Sequence, residues 1–114
     1  MSAITTHILD TSAGRPGAGV PVVLEHKTQS SGWRTVAESV TDADGRVADL
    51  LPATEAFLPG HYRLTFDTGA YFATRSIDCF FPTVIVGFVV KDPVQHYHVP
   101  LLLSPFGYST YRGS

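Results

Sequence analysis

Apolar, β-branched and aromatic residues come in short runs along this chain, and nearly every run ends in a cluster of Gly, Pro, Asp or Ser. A strand needs only roughly four to eight such residues, whereas a stable helix needs more, so this rhythm is that of a β-sandwich or barrel. Residues 4–9 read as a first strand, closed by Asp10-Thr11-Ser12-Ala13-Gly14-Arg15-Pro16-Gly17, where successive turn formers leave only a loop. Residues 20–27 form a second strand. After the turn Gln29-Ser30-Ser31-Gly32, residues 33–41 form a third, closed by Thr41-Asp42-Ala43-Asp44-Gly45. The Asp-Gly pair there readily adopts the positive φ of a tight turn, and Arg46 emerges directly from it.

In residues 61–67, Tyr62, Leu64 and Phe66 alternate with His61, Arg63, Thr65 and Asp67, which predicts one buried and one more polar face. The one helix the pattern allows is capped by Asp67 or Thr68 and runs through Tyr71-Phe72-Ala73-Thr74-Arg75, with Pro82 forbidding extension. Residues 83–90 are almost all apolar, as expected of a strand covered on both faces, and residues 96–103 form another strand. Residues 108–111 can pair with it. About eight strands and one short helix predict two packed antiparallel sheets. Phe57, Tyr62, Phe66, Phe72, Phe80, Phe81 and Phe88 are assigned to packing.

At 114 residues there is room for one domain with a real core, and no internal repeat, linker or low-complexity tract divides the chain, so residues 1–114 are read as one domain. A hydrophobic content of 44% with 16% charged residues excludes disorder. The net charge of −2 provides no excess to hold a phosphate backbone or an anionic membrane, so neither nucleic acid nor membrane is expected as a partner. No segment approaches the ~20 apolar residues of a membrane span and the N-terminus carries no secretory pattern, so a cytoplasmic location is expected. The lone Cys79 lies in an apolar run, where a buried, inert thiol is expected.

Chemistry can sit in few places. Period-2 geometry puts His96 and His98 on one strand face with Pro100 and Leu102, while Tyr97 and Val99 face away. Such a pair can bind zinc, handle protons near neutral pH, or simply form a polar strand face, and His-x-His alone does not choose between these. His7 on the first strand, taken by itself, is more often a hydrogen-bonded structural histidine than a catalyst, and Arg46 by itself is usually a solvated charge. There is no Ser-His-Asp motif, no Gly-rich phosphate loop and no suggestive carboxylate pair.

Four stretches taken together carry more information: Thr6-His7-Ile8-Leu9-Asp10-Thr11 with Gly14-Arg15-Pro16; Thr41-Asp42-Ala43-Asp44-Gly45-Arg46; Gly60-His61-Tyr62-Arg63-Leu64; and Tyr97-His98-Val99-Pro100 running on to the terminal Tyr111-Arg112-Gly113-Ser114. In this order and over essentially the full chain, they resemble the transthyretin-like family, and the terminal tetrapeptide resembles that of its enzymes, the 5-hydroxyisourate hydrolases. The resemblance implies an all-β transthyretin-like sandwich of two four-stranded sheets with one short helix, assembled as a homotetramer, a dimer of dimers. It implies hydrolysis of the small-molecule substrate 5-hydroxyisourate by opening of a ring amide, with no cofactor and no metal. It carries the family's catalytic histidines onto His7 and His98 and its arginine onto Arg46, with Tyr111, Arg112 and Ser114 lining the pocket. Two rival readings remain: a non-catalytic carrier of small ligands on the same architecture, and a zinc hydrolase with His7, His96 and His98 as ligands.

Overall fold

Each turn signal in the sequence ends a strand, and the strands stack into two sheets. The computed structural model describes residues 3–30 and 32–114, so Ser31 of the expected Gln29–Gly32 turn lies outside the described residues. The strands are β1 (Ile4–Asp10), β2 (Arg15–Pro16), β3 (Pro21–Lys27), β4 (Trp33–Val40), β5 (Arg46–Val47), β6 (Gly60–Phe66), β7 (Val84–Val90), β8 (Tyr97–Ser104) and β9 (Gly107–Thr110), with helix α1 (Thr68–Ala73) between β6 and β7. One sheet has the order β4-β3-β6-β7, and the other β2-β1-β8-β9, with β5 also pairing with β1.

Two departures from the sequence expectations bear on function. The second sheet holds five strands because two two-residue pieces share the outer edge of β1: β5 at Thr6 and His7, and β2 at Leu9 and Asp10. Arg15 and Pro16 were expected in a loop, and a two-residue strand leaves no periodicity to detect. The sheets are also not wholly antiparallel: β1 and β8 run parallel, in register from Ile4↔Tyr97 to Asp10↔Leu103. A parallel pair requires a crossover, and here the entire other sheet supplies it.

The core lies between the sheets. Ile4, Ile8, Val99, Leu101 and Leu103 from one meet Val22, Leu24, Tyr62, Leu64 and Phe66 from the other. β1 and β8 therefore present their alternate residues, Thr5, His7 and Leu9 beside His98, Pro100 and Leu102, on the outer face. Helix α1 is capped by the Asp67 carboxylate, which accepts from the Ala70 N–H, and it buries Thr68, Tyr71 and Phe72. It stops at Ala73, before Pro82 could matter, because Arg75 and Ser76 already donate to carbonyls three residues back and Ser76 turns to φ 56°. Tyr71 also ties the helix to β1: its hydroxyl donates to Asp10 Oδ2 at 2.6 Å, while Asp10 Oδ1 accepts from Ser12 and Ala13.

Strand β7 is covered on one face only. Val84, Val86 and Val90 are buried, but Ile85 and Val89 are 55% and 47% exposed, contrary to the expectation for its continuous apolar run. With alternate side chains on opposite faces, one face of β7 packs on the core and the other points away from it. Phe80 and Phe81 likewise stand at the surface, packed on each other and, through Phe81, on Tyr108. Cys79 is only partly buried. Among the described residues, no helix is long and apolar enough to cross a membrane.

Candidate functional site

The outer face of the β2-β1-β8-β9 sheet gathers residues from distant parts of the chain. His7 on β1 is directly opposite Arg46 on β5, and on its other side β1 places Thr5 opposite His98 of β8. Facing residues in a ladder project to the same side, so His7, Arg46 and His98 share one face.

Arg46 is delivered by a tightly specified turn. Asp42 Oδ1 accepts from the Asp44 and Arg46 N–H groups at 2.9 and 3.0 Å, and Gly45 donates to Asp42 O. Gly45 has φ +74°, and its carbonyl accepts from the Ile8 N–H at 2.8 Å, locking the turn against β1. A Cβ there would approach Ile8 O to 2.4 Å, so glycine is required both for φ and for the close approach. Among the described residues no carboxylate pairs with the Arg46 guanidinium, which leaves it available to a ligand.

His98 is the most constrained of the three. Its Nδ1 lies 2.7 Å from Thr5 Oγ1, and the same hydroxyl lies 3.1 Å from His96 Nε2. Its carbonyl accepts from the Gly113 N–H at 2.8 Å, which pins the C-terminal tail along β8. Gly113 sits so close that a Cβ would meet His98 Cδ2 at 2.5 Å. Burial lowers the His98 pKa below the ordinary imidazole value, and the positive Arg46 and the neighbouring imidazoles of His7 and His96 add to that shift. At neutral pH the ring is a neutral base.

Thr5, Arg46, His96, His98 and Ser114 line a recess of about 290 Å³, at the small end for ligand sites. His7 stands on the same face beside Arg46 but does not line this recess. Tyr111 and Arg112 instead line a second recess of about 240 Å³, toward β7, which has His98 in common with the first. The Arg112 guanidinium lies over the Tyr97 ring at 4.5 Å and donates to Gln95 Oε1 at 2.9 Å, so it anchors the tail rather than pointing at His98. The expected residues thus fall into one cluster, His7, Arg46, His98 and Ser114, and a flank, Tyr111 and Arg112.

The arrangement offers a neutral imidazole, a free guanidinium and a small open recess, a combination suited to activating water and holding a carbonyl oxygen as it gains charge. Among the described residues no three His, Cys, Asp or Glu side chains are grouped to hold a metal ion. Thr5, His96 and Gly113 are contributors that sequence reasoning left out. Alternation from His7 gives Thr5 its face, and His-x-His gives His96 its face, but nothing in the sequence links those faces across the parallel pair. For Gly113 the only signal was its place in the terminal tetrapeptide.

The model of the HIUase/Transthyretin family matches residues 4–113. A 5-hydroxyisourate hydrolase of Salmonella dublin is 50% identical over 111 residues, spanning 97% of this chain and 80% of that protein. The structure of Klebsiella pneumoniae 5-hydroxyisourate hydrolase superposes with a TM-score of 0.84 at 40% identity, covering 97% of this chain and 98% of that one. Sea bream transthyretin in complex with thyroxine superposes with a TM-score of 0.91 at 35% identity, covering 97% and 94%. The backbone therefore does not separate a hydrolase from a thyroxine-bound transthyretin, while sequence identity is higher with the two hydrolases.

Proposed function

We infer that this chain, which belongs to the HIUase/Transthyretin family, hydrolyses 5-hydroxyisourate in urate degradation. The observation that carries the reading at the level of the site is the meeting of His7, Arg46 and His98, from three separate parts of the chain, on one sheet face with His98 held neutral.

The mechanism we propose uses His98 as the general base. Its free imidazole nitrogen takes a proton from water as the water oxygen bonds to the ring carbonyl carbon. Arg46 orients the substrate and stabilises the negative charge that develops on that carbonyl oxygen. The ring C–N bond then breaks, the proton passes to the departing nitrogen, and the product is 2-oxo-4-hydroxy-4-carboxy-5-ureidoimidazoline. His7, beside Arg46, helps to position the water. Ser114 lines the cleft with Arg46 and His98, while Tyr111 and Arg112 line the adjoining recess that shares His98, with Arg112 anchoring the tail. No metal takes part in this scheme.

We further propose a homotetramer, a dimer of dimers. Both sheets end in an edge strand, β9 in one and β7 in the other, and Ile85, Val89, Tyr108 and Tyr111 are exposed on or beside those edges. Free edges with apolar side chains favour pairing with a second copy. The recess at His98 is also open and shallow, and a facing subunit would exclude water from it.

The test is the ultraviolet decay of 5-hydroxyisourate, freshly generated by urate oxidase, with protein treated exhaustively with chelator. Acceleration over spontaneous decay supports a metal-free hydrolase; activity lost to chelator and restored by zinc would revive the metal reading. A folded tetramer that left the decay unchanged would favour the second reading, a carrier of small ligands, which the close superposition on thyroxine-bound transthyretin supports.

A further inference from the structure

A single hydroxyl lies between two imidazoles at the centre of the site, and it has only one proton to give. Thr5 is buried, its Oγ1 is 2.7 Å from His98 Nδ1 and 3.1 Å from His96 Nε2, and these are the contacts its side chain makes among the described residues. A threonine hydroxyl donates once and can accept twice; its buried proton has no third partner among the described residues, so that proton is satisfied only when one ring presents a lone pair and the other an N–H. The tautomers of His96 and His98 are thereby coupled.

Only one of the two arrangements leaves His98 able to act on water. If Thr5 donated to His98 Nδ1, the His98 proton would sit on Nε2, the nitrogen without a protein partner among the described residues, and no lone pair would face the recess. In the other arrangement His98 Nδ1–H donates to Thr5 Oγ1, the Thr5 hydroxyl donates to His96 Nε2, and His98 Nε2 carries a lone pair. The guanidinium of Arg46 lines the same recess, and its positive charge favours a lone pair over an N–H there.

We propose that Thr5, with its hydroxyl directed by His96, is a positioning residue that holds His98 in the Nδ1–H tautomer and so keeps its Nε2 free for water. This inference rests on the reading of His98 as the base. When His98 takes a proton from water on Nε2, its Nδ1–H bond to Thr5 is unchanged, so no group in the chain has to move and no proton passes through Thr5. His96 then has a task that does not require it to touch substrate.

The experiment combines nitrogen-15 NMR of the imidazoles with turnover, on the full chain as wild type, Thr5→Val, Thr5→Ser and His96→Ala. Valine keeps the shape and the β-branch and removes only the hydroxyl. Wild type should show a pyrrole-type Nδ1 and a pyridine-type Nε2 for neutral His98. Thr5→Val and His96→Ala should lose that preference and lower kcat on the order of 10- to 100-fold, with KM changing less. Thr5→Ser should restore both.

Finding His98 of the wild type protonated on Nε2 would overturn the proposal, as would a Thr5→Val protein with the wild-type tautomer and wild-type kcat. If Thr5→Val does not fold, the wild-type spectrum and the His96→Ala protein decide the question alone. Should the wild type prove inactive yet show the Nδ1–H tautomer, lost in His96→Ala, the hydrolase reading would fall and the hydrogen-bond arrangement would stand.

Discussion

Replacing Gly113 with alanine adds one methyl group against the His98 ring, and the consequence can be worked out from the contacts. The new Cβ would lie 2.5 Å from His98 Cδ2 and 3.2 Å from Pro100 Cγ. Ordinary carbon–carbon contact is about 3.5 Å, so ring and tail must separate by about 1 Å. Pro100 blocks part of the retreat, and the Thr5 hydroxyl at 2.7 Å holds the far side of the ring, so the imidazole tilts or the tail lifts. A displacement of about 1 Å at a reacting group costs on the order of 100-fold in rate, and that is the expected loss in kcat. Stability should barely change: Gly113 has no positive φ for alanine to strain, and it contributes one backbone hydrogen bond at the end of the chain. Initial rates of 5-hydroxyisourate decay, with thermal unfolding measured in parallel, separate the two effects. A Gly113→Ala protein with wild-type kcat would refute both the contact and the dependence of turnover on the placement of His98.

Three further outcomes are expected. Arg46→Ala should lower kcat about 100- to 1,000-fold, the usual range for losing one oxyanion donor, without changing the urea midpoint, because the turn is held by backbone groups of residue 46 and its guanidinium has no carboxylate partner among the described residues. Since the folded pKa of His98 lies below the ordinary value of about 6.5, kcat/KM should be level above that pH and fall only as the pH drops through the lowered value; a half-point above 6.5 would contradict the environment described. Tyr71→Phe removes the O–H donated to the buried Asp10 carboxylate at 2.6 Å and should cost about 1.5–3 kcal/mol by chemical denaturation. Hydrogen bonds from Tyr71, Ser12 and Ala13 outweigh burial and lower the Asp10 pKa, so the stability they give is present at neutral pH and lost as pH falls through the folded value. The variant's acid unfolding should therefore begin at higher pH.

The parts of this fold legible in the sequence are those set by local physics. Alternation in residues 61–67 correctly placed Tyr62, Leu64 and Phe66 in the core, and of the two caps the sequence allowed, Asp67 or Thr68, Asp67 caps the helix. The helix end was misplaced because the tightened last turn and Ser76, not Pro82, terminate it. The apolar run of β7 misled for a different reason: composition records that Ile85 and Val89 are hydrophobic but not whether anything within the same chain covers them. The parallel pairing of β1 with β8 left no trace at all, since register between the two ends of a chain is fixed by the whole sandwich. The site divides in the same way. His7, Arg46 and His98 could be named from motifs, but the Thr5 bridge exists only because that parallel register sets Thr5 opposite His98.

That division explains how one backbone can serve both a thyroxine-bound transthyretin and a hydrolase. Residues such as Ile4, Ile8, Val99 and Leu101 are fully or almost fully buried and determine where β1 and β8 run; their neighbours Thr5, His7, His98 and Pro100 project to the other side of the sheet. With a period of two, exchanging outward residues leaves the core packing untouched, so the outer face can be rewritten with little loss of stability. The constraint returns only where an outward group needs a particular backbone. Gly45 must approach Ile8 O for Arg46 to emerge beside His7, and Gly113 must lie against the His98 ring. The proposed site therefore depends on two glycines as well as on the histidines and arginine, and placing those three side chains on a transthyretin's outer face without both close approaches would leave them on the right strands in the wrong geometry.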